Sequence, residues 1–445
     1  MDDNRCLVVL YGSQTGTAQE VAERVGREGE RLHFSTEVRD LDSFDVRRLP
    51  TSPLVVYVAS TTGQGEEPDN MKKTWKFLLR KNLPATSLSG QRYGVLGLGD
   101  SSYAKFNHVA KKLNKRLIQL GAVQLLAPGL GDDQHDLGPD FVIDPWLESF
   151  WSLALQLYPL PPGKQPISRN VRPSPRFRLE WVSGGTEEGR EGGGPEQFSV
   201  CEVISCERKT PEDHFQDVRL LKVDTHNEIG YRPGDVAEVL PSNLQENCDT
   251  FFKLFPNLDP EKKFLLYPTN PKISMPSHEQ LPKPCSLAHA VKHYFDIQAI
   301  PRRYFFELLA HFTTDELEKE KFEEFNTAEG QQELYDYCNR PKRNILEVLH
   351  DFRYTTPNIP VDFLFDLIPA IKPRSFSIAS SPFAHPGRIE LLVAVVKFKT
   401  NLKAPRYIIY QIKIILFRVD DYDLYQHQKY HYIAGEGFAL RGFPF

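Results

Sequence analysis

Cysteine is scarce and unpatterned in this sequence. Cys6, Cys201, Cys206, Cys248, Cys285 and Cys338 form no CxxC pair and have no histidine at zinc-finger spacing. No structural metal is expected, and each thiol reads as a small buried hydrophobe in a reducing, cytosolic compartment. Positive charge is not in excess either. The net charge is −5, which does not suit a general nucleic-acid binder. No apolar run reaches the roughly 18 residues needed to span a bilayer. MDDNRC leads straight into a strand-like run, so no leader or anchor is expected. Two phosphate-binding signatures are also missing. There is no GxGxxG, and no lysine sits in the first polar loop where a Walker-type loop would need one.

What is present organises itself around Leu7 to Arg24, LVVLYGSQTGTAQEVAER. Leu7 to Tyr11 has the length and apolarity of a buried strand. Ser13, Gln14, Thr15, Gly16 and Thr17 follow, all small or polar. Ala18, Val21, Ala22 and Val25 then recur on one face of a helical pattern, with Glu20, Glu23 and Arg24 opposite. Loop amides and hydroxyls can converge on a phosphate there, helped by the helix dipole. Without a lysine the loop suits a monophosphate, and FMN is the obvious candidate. An ordinary strand–turn–helix with capping hydroxyls is the alternative.

The 445 residues allow two or three domains. Strands are expected at Thr36–Arg39, Leu54–Ala59, Tyr93–Leu98 and Val123–Leu126. Helices are expected at about Asn70–Arg80, Phe106–Leu120 and Phe141–Leu157. Strictly alternating strands and helices predict an α/β fold with a doubly wound parallel sheet. Three loops rich in Gly, Ser and Thr follow the carboxyl ends of strands, where open sheets bind ligands. Tyr103 in the third can lay its ring on a flat ligand. Glu66, Glu67, Asp69, Asp132, Asp136, Asp140 and Asp144 fall in or near these loops. They read either as a solvated rim or as a surface that steers a basic partner.

GSQTGTA, TTGQGEEPDN, GLGDSSYAKFN and GDDQHDLGPD resemble the FMN module of the diflavin reductases, over about Cys6 to Leu157. The resemblance implies a flavodoxin-like domain over 1–158. It assigns the phosphate to Ser13, Gln14, Thr15, Gly16, Thr17 and Ala18. The isoalloxazine would lie between Ser60, Thr61, Thr62 and Gly63 on one side and Leu98, Gly99, Asp100, Ser101, Ser102, Tyr103, Ala104, Lys105, Phe106 and Asn107 on the other. Asp133 matches an acidic position near the cofactor. Many family members carry Tyr where this chain has Thr62, so a weaker hold on FMN is expected.

Residues 159–197, rich in Pro, Gly and Glu, read as a flexible linker. Beyond Phe198 the pattern changes to alternating strands at Val200–Cys206 and Phe215–Val223, with a Pro–Gly–Asp turn in YRPGDVAEVLPSN. A helical block occupies about 245–352. RSFS then precedes a strand at Ile389–Phe398. The expectation for 198–406 is an antiparallel β-barrel with a helical insertion. RSFS is similar to the RxYS motif of ferredoxin-reductase-like FAD modules. By that resemblance Arg374 binds the FAD pyrophosphate through bidentate bonds. Phe376, next to Ser375, stacks on the flavin, and Ser377 sits by its reactive nitrogen as the catalytic group. Lys342, in NRPKRNIL, matches a second pyrophosphate contact where Arg is usual, and is a weaker geometric match.

This order of modules resembles a cytosolic, NADPH-using diflavin reductase whose acceptor is the iron–sulfur protein anamorsin, in cytosolic cluster assembly. Cofactors FMN and FAD, a monomer, and no nucleic-acid or membrane partner are expected. The likeness ends at about Arg406. No residues match the family's later Gly-rich pyrophosphate loop or its NADPH module, and 407–445 is expected to have no place in a packed module. A truncated product is therefore expected, with an incomplete FAD site and no use of NADPH by this chain itself. Two alternatives stay open: a non-catalytic FMN- and partner-binding product, or a reductase for a haem or flavin-dependent acceptor.

Overall fold

The computed structural model describes residues 5–182, 198–226, 229–232, 234–273, 275–278, 280–327 and 329–395, and the backbone of 397–398, 406–407 and 414–420. The chain forms two compact units, Met1–Pro173 and Ser174–Phe445.

The first unit runs β1 (Cys6–Gly12), α1 (Thr17–Arg31), β2 (Ser35–Asp40), β3 (Leu54–Ser60), α2 (Lys72–Leu78), β4 (Arg92–Gly99), α3 (His108–Gln119), β5 (Val123–Gln124), β6 (Gly129–Asp132) and α4 (Asp140–Leu157). All pairings are parallel, in the order β2-β1-β3-β4-β5, with β6 also on β4. Alternation along β1 explains why it is apolar throughout. Leu7 and Val9 face the core under α1 and α4, while Val8 and Leu10 face the core under α2 and α3. β3 splits the same way, Leu54, Val56 and Val58 against Val55, Tyr57 and Ala59. Each fully buried aliphatic side chain stabilises by about 1.5–3 kcal/mol. The last expected strand is broken. Gln124 ends β5, and the chain re-enters the sheet only at Gly129, after Pro128, which has no N–H to donate. Gly129 to Asp132, read from sequence as loop, thus forms a strand.

The second unit begins earlier than the sequence suggests. β7 (Phe177–Trp181) pairs with β11 (Lys263–Pro268), which also pairs with β12 (Cys285–Ser286). Residues 159–173 pack on the first unit instead: Arg31 donates to Ser168 O at 2.6 Å, and His33 Nε2 lies 2.8 Å from Gln165 O. The expected linker is therefore largely structured on both sides, and 183–197 falls outside the described residues.

The barrel comprises β8 (Ser199–Arg208), β9 (Asp217–Asp224), β10 (Val236–Leu240), β13 (Arg374–Ser377), β14 (Arg388–Val395) and β17 (Ile414–Asp420). The order is β13-β10-β17-β8-β9-β14, all antiparallel. A bridge between Ile378 and Leu391 brings the two edges together. Cys201, Leu221, Val223, Ala237, Ile389 and Leu391 fill the interior. Beyond β14, β15 (Lys397–Phe398) pairs with β16 (Arg406–Tyr407). The stretch after Arg406 was expected to lie outside any packed module. Its segment IILFRVD instead lies between β8 and β10 as β17, as its apolar, β-branched start favours. The rest of 408–445 is outside the described residues.

Between β10 and β13 lie α5 (Gln245–Leu254), α6 (Leu287–His293), α7 (Arg303–Leu309), α8 (Glu316–Phe325), α9 (Gln331–Leu334), α10 (Ile345–Asp351) and α11 (Leu364–Leu367). The insertion extends past the expected 352 to Leu367. Its core is phenylalanine-rich, with Phe251, Phe264, Phe295, Phe306, Phe322 and Phe365 fully buried.

Candidate functional site

The order of the first sheet reverses between β1 and β3, and the polar loops gather at the carboxyl ends of β1, β3, β4 and β6. The first loop is held from outside itself. The Ser13 N–H donates to Asn70 Oδ1 at 2.8 Å, and Gln14 Nε2 donates to Asp69 Oδ2 at 2.6 Å. Ser13 Oγ accepts from the Gly16 N–H at 3.0 Å. Gly16, at φ 100°, sits in the left-handed region that glycine adopts without strain and turns the chain into α1. No side chain caps α1. Thr15 is exposed and Thr17 half-buried beside its first turn. Uncapped helical N–H groups with neighbouring hydroxyls fit a phosphate.

The second and third loops are tied together. Thr61 donates its N–H to Leu98 O at 3.0 Å, and its Oγ1 accepts from the Val109 N–H at 3.3 Å. Ser60 Oγ donates to Gly12 O. Thr62 pairs with Glu66 across a tight turn and also donates its hydroxyl to Glu66 O at 3.1 Å. That hydroxyl is turned into its own loop. Gly65, at φ 96°, leaves no room for a Cβ, which would lie 2.4 Å from Lys105 Cδ. Asn107 is fully buried, at φ 52°. Its Nδ2 donates to Gly131 O at 2.9 Å, so it clamps the third loop to β6, while its Oδ1 has no partner. Asp132 accepts the Ser101 N–H at 2.9 Å and the Gln134 N–H at 3.0 Å. Burial alone pushes its carboxyl up, but the hydrogen bonds from Ser101 and Gln134, with His135 nearby, hold it below the usual carboxylate range.

The expected contact residues thus divide in two. Ser13, Ser60, Thr61 and Asn107 each bond a neighbouring segment, and Thr62 spends its hydroxyl within its own loop. Thr15, Gly63, Ser101, Ser102, Ala104, Lys105 and Asp133 are exposed, with Tyr103 half-buried among them. Asn70 and Gln134 (which donates to Asp100 Oδ2 at 3.0 Å) were missed from sequence. The acidic rim is largely engaged within the unit. Asp69 binds Lys72, and Asp140 and Asp144 flank Arg24 at 3.4 and 2.7 Å.

In the second unit RSFS is itself strand β13, paired with β10 through Arg374↔Val239 and Ser377↔Val236. Alternation leaves Arg374 and Phe376 half-buried and Ser375 and Ser377 exposed. Phe376 packs against the barrel interior. The Arg374 guanidinium lies on the opposite face of β13 from the Ser375 and Ser377 hydroxyls, so Arg374 alone on this strand offers a charged contact for a pyrophosphate. Asp296, unforeseen from sequence, has a buried Oδ1 with no hydrogen-bond partner. Burial pushes its carboxyl up, while the Arg374 guanidinium and the N–H groups of Gln298 and Ala299 offset part of this. Lys342 is exposed, at φ 53°, in the turn before α10. Its neighbour Arg343 instead folds onto Tyr337 at 4.4 Å and pairs with Asp351.

A flavodoxin-like sheet with phosphate-ready loops, followed by an antiparallel barrel carrying an arginine strand, defines a two-flavin reductase. Family models agree: the flavodoxin model matches residues 9–146 and the FAD binding domain model matches 197–407. The chain is 50% identical over 410 residues to NADPH-dependent diflavin oxidoreductase 1 of Danio rerio, covering 90% of this chain and 68% of the relative. It is 49% identical over 413 residues to the Mus musculus protein of that name, covering 90% and 69%. With the Arabidopsis thaliana protein it shares 39% over 438 residues, covering 91% and 69%. The chain belongs to the NADPH-dependent diflavin oxidoreductase family, an oxidoreductase family whose cofactors are FMN and FAD. Among the described residues no helix is long and apolar enough to cross a membrane.

Proposed function

We propose that this chain carries the FMN and FAD modules of a reductase that passes electrons from NADPH through FAD and FMN to an iron–sulfur protein of the anamorsin kind, in cytosolic iron–sulfur cluster assembly, and that these residues do not bind NADPH themselves. Bound flavins supply the conversion of a two-electron donor into single-electron steps. The residues supply the placement. Thr15, Thr17 and the first turn of α1 hold the FMN phosphate, and Gly16 lets the backbone approach it. Tyr103 covers one face of the flavin ring. Thr62, whose hydroxyl is spent on Glu66 O, leaves the other face without an aromatic cover. Arg374 binds the FAD pyrophosphate, helped by Lys342, while Phe376 and Ser377 hold the flavin ring of FAD on β13.

The observation that carries this reading is the four-loop cluster at the carboxyl ends of the first sheet, knitted together by Asn70, Thr61, Asn107 and Asp132. The test is stopped-flow absorbance with photoreduced protein, mixed in turn with oxidised anamorsin and with a small haem protein. Bleaching of the cluster at least about tenfold faster than of the haem supports the acceptor assignment, since acceptor choice is a difference of docking energies of order 1.4 kcal/mol or more. An anamorsin cluster that stays oxidised while the haem is reduced contradicts it.

A further inference from the structure

The charge on the first unit is segregated by face. Between Met71 and Gly99, and again between Ser101 and Gly131, the sequence contains eleven Lys and Arg and no Asp or Glu. Those stretches carry α2 and α3, which cover the same face of the sheet through Trp75, Leu78, Val109, Leu113 and Leu117. Arg116 of α3 joins the helices directly, donating to Leu78 O and to Arg80 O at 2.9 Å. Lys73, Lys76, Lys81, Lys111, Lys112 and Lys115 are exposed on this surface. Lys73, Lys81, Lys112 and Lys115 have no carboxylate within ion-pair distance among the described residues. Asp69, Asp132, Asp140 and Asp144 of the same unit bond Lys72, loop N–H groups and Arg24 instead, while Asp42 accepts the Lys73 and Thr74 N–H groups at the start of α2.

Nothing in the fold calls for this arrangement. Lys111 and Lys115, and Lys112 and Arg116, are like charges four apart on one helix, a spacing that disfavours the helix. The field they make is felt locally. His108, at the start of α3, is held below the ordinary histidine range by burial and by Lys112, Lys105, Lys111 and Lys115. Two large apolar side chains stand among the cations, Leu79 at 49% and Ile118 at 52% exposed.

We propose that the α2–α3 face is a docking surface for an acidic protein segment that carries apolar side chains. Dense unpaired cations steer and orient an acidic partner, and Leu79 and Ile118 give its apolar residues a seat. A nucleic acid would use the lysines but not the apolar pair. Because α3 starts at the third flavin loop, a segment docked here lies beside that loop.

The test is fluorescence anisotropy of the full-length protein with a labelled synthetic peptide of interspersed Glu and Leu. A Lys-and-Leu peptide, a single-stranded RNA oligonucleotide and phosphatidylserine vesicles serve as comparisons. The acidic peptide should bind most tightly and weaken as ionic strength rises from about 0.05 to about 0.2 M. The triple variant K73E/K112E/K115E should bind it about tenfold more weakly with flavin content unchanged. If that variant does not fold, K112Q/K115Q should lose a smaller but measurable part of the affinity. Equal peptide affinity in the wild type and a folded variant overturns the proposal. So does a preference for RNA or vesicles, or self-association of the wild type that occupies this face.

Discussion

Asn107 is the residue on which the arrangement of loops most depends. It holds a left-handed backbone at φ 52° and donates to Gly131 O from a fully buried position. Asn107→Ala removes that bond, leaves a buried carbonyl without its donor and places Ala in a conformation it disfavours. A loss of about 2–4 kcal/mol is expected, read as a lower urea midpoint for the first unit together with weaker FMN retention. Asn107→Gly should recover about 1 kcal/mol by relieving the backbone alone. Wild-type behaviour of the Ala variant would show that the clamp does not matter.

His293 makes a pH prediction. Burial, then His289 with its ring centroid 4.6 Å away, then Lys292, push its imidazole down from 6.5 to about 4. The folded state therefore resists a proton that the unfolded chain accepts. Stability from this group is intact above about pH 6.5 and is lost as pH falls towards about 4. His293→Gln should flatten the fall in melting temperature of the second unit across that window. An unchanged slope would mean the ring is not held neutral. Legibility at this scale followed sequence distance. Ser13 to Thr17 declared themselves by residue type within one loop. Asn70 bonds Ser13 from 57 positions away, and nothing local to either residue marks the pair. Asp296 beside Arg374 escaped notice for the same reason.

At the scale of elements, β1, β3 and β4 were readable because burial on both faces leaves a continuous apolar run. Position 128 broke the next strand through proline chemistry that a run of apolar letters does not show. β7 was hidden by its surroundings, since Pro- and Gly-rich flanks made Phe177 to Trp181 look like linker. Its hold on the second unit is specific. It pairs with β11 from Phe177 to Trp181, buries Phe177 at 3% exposure, and is preceded by Arg176 at 3.0 Å from the nearly buried Asp366. A protease recognition sequence placed within 185–191 should thus give a nicked protein whose fragments co-elute on gel filtration. Adding Arg176→Ala, which removes the guanidinium bond to Asp366 and keeps the backbone N–H bond to it, at a cost of about 1.5 kcal/mol, should weaken that association. An N-terminal fragment that elutes alone after cleavage, with Arg176 intact, would contradict the placement of β7.

For the whole molecule, the two flavin modules were legible from motif order, and the family relationship agrees with it. The face-by-face distribution of charge emerged only once α2 and α3 were seen to lie side by side, because the acid-free stretches are separated by β4 and its loop. The acidic rim read from sequence turned out to be mostly internal bonding.

The proposed function requires one chain to hold two flavins at separate places, FMN on the loops of the first sheet and FAD on β13 of the barrel. Flavin extraction and chromatographic quantification from the purified full-length chain and two variants tests it most directly. Replacing Thr15 and Thr17 by Leu should remove FMN and leave FAD as in the wild type. Arg374→Ala should lower FAD by about tenfold or more, as loss of a charge-assisted bidentate contact implies, and leave FMN untouched. A wild-type chain without FMN, or variants that lose both flavins or neither, would contradict the claim.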